Sequence, residues 1–135
     1  MAMDDERTIY HGIAAVFLVD DVGATARWYR DMLGFRFNTF PDAEPFEWAS
    51  LIHGRAEIML QRAAGYRKPD LDPYRPGGVW NAYLYVTGID ALHERIRDQV
   101  VVRRAPSDQP YDLRELEIAD PNGYVLALGE QIGAR

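Results

Sequence analysis

Apolar and polar residues alternate along the chain in runs that predict strands and helices. Residues 12–19 are almost all apolar and rich in β-formers, which indicates a buried strand. In residues 22–33 the apolar positions recur every three or four residues, so this segment is predicted to be a helix capped by Asp20 or Asp21 and ended by Gly34. Three strands are predicted next, at residues 35–39, 48–52 and 56–62.

The same order of elements recurs after a break at residues 64–78. This segment contains three prolines and three glycines and has no apolar period, which is typical of a surface connection. A strand follows at 80–86, and then a helix from about residue 90 with Ile89, Leu92, Ile96 and Val100 on one stripe. Further strands are predicted at 101–103, 113–119 and 124–128, the last two joined by a tight turn at 120–123.

Corresponding positions in the two halves lie at a nearly constant offset. Val19 and Val86 are 67 residues apart, and Gly54 and Gly123 are 69 apart. This offset is longer than the repeat of a solenoid, which is ~20 to 50 residues. We therefore predict an α+β fold in one domain over residues 1–135. Two βαβββ modules, at about 9–63 and 79–130, would form a curved mixed sheet with the helices on its outer face.

Short motifs in both halves resemble those of a known superfamily. They are Val19-Asp20-Asp21-Val22, Trp28-Tyr29, Leu33-Gly34-Phe35 and Asp120-Pro121-Asn122-Gly123. Their order and spacing resemble the vicinal oxygen chelate superfamily, which includes glyoxalases, bleomycin-resistance proteins and extradiol dioxygenases. The resemblance covers about residues 9–130, and in character the chain is most similar to the metal-free bleomycin-resistance branch. It implies a homodimer whose ligand clefts are shared by two chains.

The resemblance also places the metal ligands of the enzymatic members on four positions of this chain. Those positions hold Ala14, Met59, Asn81 and Ala127. A methyl group, a thioether and an amide cannot supply the roughly three convergent donors that a catalytic divalent ion needs. The three histidines, His11, His53 and His93, fall in a leading segment, a turn and the second helix. We therefore predict neither a metal site nor a cofactor.

Composition excludes several classes of partner. Fifteen basic and twenty-one acidic residues give a net charge of −6, which disfavours nucleic acid and anionic membrane surfaces. The chain has no cysteine, so disulfides and thiolate chemistry are excluded, which fits a cytoplasmic protein. No signal peptide or membrane anchor is predicted.

Strand alternation, kept in phase with the family's ligand positions, assigns a ligand-binding face. Aromatic and acidic side chains dominate it, and a flat organic cation fits such a lining best. Other segments with aromatic residues border it. The candidate ligand-binding residues are Trp48, Glu57, Met59, Tyr74, Trp80, Asn81, Tyr83, Tyr85, Tyr111 and Glu115. The aromatic residues are equally compatible with a core or a dimer interface.

Three functions remain open. The first is a metal-free protein that binds and sequesters a small aromatic, cationic compound, with no catalytic residue assigned. The second is a lyase, isomerase or dioxygenase of the same superfamily, with a non-standard metal site or with Glu57 as a base. The third is a module whose sheet face binds only its own partner chain.

Overall fold

A computed structural model of the protein describes residues 7–133. The first helix, α1 (Val22–Leu33), is capped by the Asp21 carboxylate, which accepts a hydrogen bond of 2.9 Å from the backbone N–H of Ala24. Gly34, at a φ of 76°, ends it in the left-handed conformation predicted from the sequence. The other elements are β1 (Ala15–Val19), β2 (Arg36–Phe40), β3 (Trp48–His53), β4 (Ala56–Arg62), β5 (Ala82–Tyr85), α2 (Ile89–Ile96), β6 (Val101–Asp108), β7 (Leu113–Ala119) and β8 (Val125–Gln131).

The strands form two four-stranded mixed sheets, with the orders β1-β4-β3-β2 and β5-β8-β7-β6. In each sheet one pair is parallel, β1 with β4 and β5 with β8, and the others are antiparallel. The α+β class with two βαβββ modules is thus confirmed. Over the described residues, the strands of each module hydrogen-bond only with one another, so each module contributes its own four-stranded sheet.

Side chains join the two modules on the side of the sheets that carries the helices. The ring of Phe17 in β1 stacks on Tyr124, which precedes β8, at a centroid distance of 4.1 Å. The Tyr124 hydroxyl donates a hydrogen bond of 2.7 Å to the backbone oxygen of Leu18. Buried residues of both modules, from Phe17 and Tyr29 to Leu116 and Leu128, form one apolar cluster.

The opposite face of the first sheet is open along β1, whereas on the second sheet this face is open at Tyr85 but buried at Glu115, Glu117 and Ala127. In β1, Phe17 and Val19 are buried, whereas Val16 and Leu18 are 51% and 39% exposed. This alternation is the period of two expected of a strand with only one face in the core. The open faces therefore carry the side chains available to bind a ligand or another chain.

Several predicted boundaries differ from the observed ones. β1 begins at Ala15, three residues later than predicted, and β5 is shorter than 80–86. Asn81, just before β5, still bonds to Val125: its backbone N–H donates to the Val125 oxygen, and its side-chain oxygen accepts from the Val125 N–H, each at 2.8 Å. α2 begins at Ile89, and β6 continues to Asp108, well beyond the predicted 101–103. Within residues 7–133, no helix has the length and apolar character needed to cross a membrane.

Candidate functional site

Three aromatic rings follow one another on the open face of the second sheet. Trp80 and Tyr83 lie 5.1 Å apart between ring centroids, and so do Tyr83 and Tyr85, with interplanar angles of 57° in both pairs. Trp80 is 44% exposed and Tyr85 is 80% exposed. We call these three residues the aromatic row. The two residues at the ends of the aromatic row, Trp80 and Tyr85, are thus accessible to solvent.

Two buried carboxylates lie behind the aromatic row on β7. Glu115 has no exposed surface and Glu117 is 6% exposed. The guanidinium of Arg104, on β6, lies 2.9 Å from a carboxylate oxygen of each. Two acidic groups thus share one basic group, which makes their burial tolerable and leaves one negative charge in excess.

The carboxylates also hold the aromatic side chains in place. Glu115 accepts hydrogen bonds of 2.8 Å from the Tyr83 hydroxyl and 2.7 Å from the Tyr111 hydroxyl, while Glu117 accepts one of 3.0 Å from the indole N–H of Trp80. Burial raises the pKa of Tyr83, and its hydrogen bond to Glu115 adds to that effect. The pKa of Tyr111 is raised for the same reasons. Both hydroxyls therefore remain donors at neutral pH and cannot serve as phenolate bases.

Local backbone features place these groups. Gly129 of β8 pairs with Tyr85, and a Cβ built on it would lie 2.6 Å from Cζ of Tyr83, so only glycine leaves room for this ring. In β6, Val102 pairs with Ile118 but Arg104, not Arg103, pairs with Glu117. A bulge between the two pairs therefore turns Arg104 toward the carboxylates.

A polar cavity of about 330 Å³ adjoins the buried carboxylates. Its lining includes Gly78, Arg104, Glu117 and the unpaired side chain of Arg75, which forms no ion pair with any residue in 7–133. Arg103 also lines it and is bound to Asp72 at 2.8 Å. The Nε atom of Arg104 is buried without a hydrogen-bond partner, which is a donor that a ligand oxygen or a water molecule would satisfy.

The candidates from the first module lie on the open face of the other sheet. Glu57 on β4 accepts a hydrogen bond of 3.0 Å from the hydroxyl of Ser50 on β3. The strand register places Ser50 beside Met59, and Trp48 beside Gln61. Among the described residues, no hydrogen bond connects this group with the aromatic row.

Two further candidates have other surroundings. Tyr74 lies in a short 3₁₀ helix, Asp72–Tyr74, and is 85% exposed. The side-chain oxygen of Asn81 accepts a hydrogen bond of 2.8 Å from the backbone N–H of Val125. The structure thus brings Trp80, Tyr83, Tyr85, Tyr111 and Glu115 together, and it places Trp48, Glu57, Met59, Tyr74 and Asn81 outside that cluster.

The residues at the family's metal-ligand positions do not fit a metal ion. Ala14 and Ala127 have no donor atom, Met59 offers only a thioether, and the amide oxygen of Asn81 is bound to backbone. The nearby carboxylates face the guanidinium of Arg104. Nowhere in the described part of the chain do three or more His, Cys, Asp or Glu side chains form a group that could hold a metal ion.

Arg104, Glu117 and Ser50 are site residues that were absent from the predicted set. Alternation in β7 predicts that Glu117 faces the cavity together with Glu115, but only Glu115 was assigned to the ligand-binding set. Arg104 could not be predicted in this way. Val102 packs toward the core, so strict alternation would turn Arg103, and not Arg104, to the face that carries Glu117. Ser50 precedes the apolar pair Leu51 and Ile52 and carries no local signal for its role.

Residues 12–128 match the family model described as the Glyoxalase/Bleomycin resistance protein/Dioxygenase superfamily. The chain belongs to this superfamily. The match covers both modules, from the segment before β1 to the middle of β8. No curated protein sequence matches the chain.

Several solved structures share the fold at low sequence identity. TioX from a Micromonospora species has a TM-score of 0.72 and 17% identity over 91% of this chain and 100% of its own. A superfamily member from Sphaerobacter thermophilus has a TM-score of 0.71 and 21% identity, covering 91% of this chain and 98% of its own. TnmS3, an antibiotic-binding protein from a Streptomyces species, has a TM-score of 0.67 and 20% identity, covering 91% of this chain and 97% of its own.

Proposed function

We propose that the protein binds a small aromatic compound, without a metal ion, by stacking it on the aromatic row. The observation that carries this proposal is the set of three adjacent rings, of which Trp80 and Tyr83 are anchored by hydrogen bonds to buried carboxylates. Anchored rings lose little conformational freedom when a ligand binds, so more of the stacking energy appears as affinity. An aromatic pair contributes about 0.5–1.5 kcal/mol beyond its buried area.

The charges near the aromatic row favour a cationic ligand. Glu115 and Glu117 share Arg104, which gives this trio one formal negative charge, while the side chain of Arg75 lies in the adjoining cavity. The ring faces attract cations through their quadrupoles. Glu115 is fully buried, so it supports the rings and acts on a ligand only through the field.

The superfamily is compatible with this proposal. TnmS3, which has the same fold, is described as an antibiotic-binding protein. Ala14 and Ala127 have no donor atom and Met59 offers only a thioether, which supports binding without a metal. The cytoplasmic location expected from the cysteine-free sequence is part of the proposal.

We further propose that two chains form the complete cleft. The two groups of candidate residues lie on the open faces of different sheets, and those faces expose Val16, Leu18 and Phe40 on one sheet and Tyr85 on the other. A two-fold dimer that sets the first sheet of one protomer against the second sheet of its partner would cover this apolar surface. It would also bring Glu57 and Met59 near the aromatic row.

A matched series of ligands tests the proposal. Calorimetric titration with the cation proflavine, the neutral acridine and an acridine carboxylate separates stacking from charge. We expect proflavine to bind best, and Trp80→Ala to weaken it by roughly fivefold to tenfold, the loss of one stacking contact. Tyr10→Ala is the control, because Tyr10 is 89% exposed and lies before β1. Absence of saturable binding to all three compounds would refute the proposal.

Elemental analysis of the purified protein addresses the enzymatic alternative. About one equivalent of a divalent metal per chain, retained after dialysis, would favour a lyase or dioxygenase. Sedimentation at several concentrations tests the dimer, and a monomer that still binds proflavine would overturn the shared cleft.

A further inference from the structure

A second cavity of about 330 Å³ lies at the junction of the two modules, and Tyr85 is the member of the aromatic row that lines it. It is bounded by the C-terminal end of α1, the turn between β3 and β4, the end of β5, and α2. Most of its lining is apolar and comes from the core side of the sheets: Leu33, Phe35, Leu84, Val86, Leu92 and Leu128. Its volume is at the lower end of the range for small-molecule sites.

Among the described residues, Arg95 is the one formally charged side chain in the lining of this cavity. Arg95 of α2 and the imidazole of His53 belong to the lining, and no Asp or Glu of the described chain does. This is unusual in a protein with a net charge of −6. An anionic group is therefore the charge that this cavity complements.

Both polar side chains are held by their neighbours. A terminal N–H of Arg95 donates a hydrogen bond of 2.8 Å to the backbone oxygen of Met32, and Arg95 forms no ion pair within residues 7–133. The ring of His53 packs edge-on against Phe35, with 5.9 Å between centroids. The remaining guanidinium N–H groups of Arg95 are thus oriented and have no carboxylate partner among residues 7–133.

We propose that this cavity binds a small monocarboxylate with an apolar body, such as a medium-chain fatty acid. The alkyl chain would be buried against the leucines and Phe35, and removal of its apolar surface from water would favour binding. The carboxylate would bind the guanidinium of Arg95, a group whose fork geometry matches two carboxylate oxygens. This site is separate from the proposed aromatic site, and the two share only Tyr85.

Calorimetric titration of the full-length protein with octanoate and with its neutral analogue octanamide tests this site. We expect octanoate to bind saturably and octanamide roughly tenfold more weakly, because the amide lacks the charge-assisted contact. Arg95→Gln should weaken octanoate by roughly tenfold. Arg97→Gln, on the same helix but outside the cavity, is the matched control and should leave the affinity within about twofold.

Two further measurements keep the test decisive. Ala56→Leu, which fills the cavity from its lining, should reduce octanoate binding even if Arg95→Gln alters folding. Trp80→Ala should leave octanoate binding unchanged, so a failure here is distinct from a failure of the aromatic site. The inference is overturned if octanoate does not saturate, if octanamide binds equally well, or if octanoate causes two chains to associate through this cavity instead of filling it.

Discussion

The hydroxyl of Tyr29 donates a hydrogen bond of 2.7 Å to the carboxylate of Asp120, 91 residues further along the chain. It connects α1 of the first module to the turn before β8 of the second, and both groups are buried. Burial raises the pKa of Asp120, although hydrogen bonds from Tyr29 and from the backbone of Asn122 and Tyr124 act against this shift. Burial also raises the pKa of Tyr29 well above its ordinary value, so its hydroxyl remains a donor.

Tyr29→Phe should destabilise the protein by about 1.5–3 kcal/mol, the usual range for a hydrogen bond to a charged group. The substitution leaves a buried carboxylate without one donor. Urea unfolding followed by tryptophan fluorescence measures the loss. Tyr10→Phe removes a hydroxyl from a residue that is 89% exposed and should change the free energy of unfolding very little. Equal effects of the two substitutions would show that the Tyr29–Asp120 bond does not stabilise the fold.

Asp120 should also make stability depend on pH. Its pKa is higher in the folded than in the unfolded state, where it is about 3.9. Its favourable contribution is therefore complete below about pH 4 and is lost as the pH rises through the folded pKa. As the pH rises from about 4 through the folded pKa of Asp120, the free energy of unfolding should fall relative to that of Asp120→Asn.

The difference in unfolding free energy between the unmodified protein and Asp120→Asn isolates the contribution of Asp120, because the other acidic residues are the same in both proteins. Unfolding free energies measured in steps from about pH 4 to pH 7 provide the test. A difference that is constant over this range, or that grows with pH, would contradict the direction given for Asp120.

Arg104→Gln should cost about 1.5–3 kcal/mol of stability, because Glu115 and Glu117 would remain buried without their shared cation. We place the cost in this range, below that of a fully buried pair, since the Arg104 side chain is 40% exposed. Arg103→Gln is the neighbouring control. It breaks only the partly exposed pair with Asp72, which should cost less than about 1 kcal/mol. Thermal and urea unfolding of both variants would rank them, and a reversed order would contradict the role of Arg104.

Gly129→Ala should displace the ring of Tyr83 and weaken both folding and ligand binding. The added Cβ would lie 2.8 Å from Cε1 of Tyr83, so the ring must move and its hydrogen bond to Glu115 must break or lengthen. Overpacking of this kind costs about 1–3 kcal/mol. Gly12→Ala is the control, because no atom lies within 4 Å of the position that its Cβ would take. Proflavine affinity that survives Gly129→Ala undiminished would remove Tyr83 from the binding surface.

Alternation along the strands was sufficient to predict which side chains share a face of the sheet. In β7, Leu116 and Ile118 pack in the core, and Glu115 and Glu117 point to the opposite face, as the period of two requires. The motif from Asp120 to Gly123 likewise forms the predicted turn, with Asp120 accepting backbone hydrogen bonds from Asn122 and Tyr124. These features depend on neighbouring residues, so the sequence contains them directly.

Contacts that depend on tertiary pairing could not be predicted in the same way. The second half of β6 contains arginine, proline, serine and aspartate and lacks β-formers, yet it is a strand because β7 lies beside it. Tyr111 lies outside the strands and reaches Glu115 from a turn. Sequence reasoning assigned Glu115 directly to a ligand, whereas its oxygens are occupied by Tyr83, Tyr111 and Arg104.

The bulge in β6 has a consequence for how such a site changes during evolution. Arg103 and Arg104 are adjacent, and the bulge alone decides which of them points at the carboxylates. A deletion of one residue that removes the bulge from this edge strand would turn the neighbouring arginine toward the carboxylates without any substitution. In a relative that differs here by a one-residue gap, the arginine that faces the carboxylates can therefore stand one alignment position away. Transferring residue roles by alignment position would then assign the role of Arg104 to the wrong arginine.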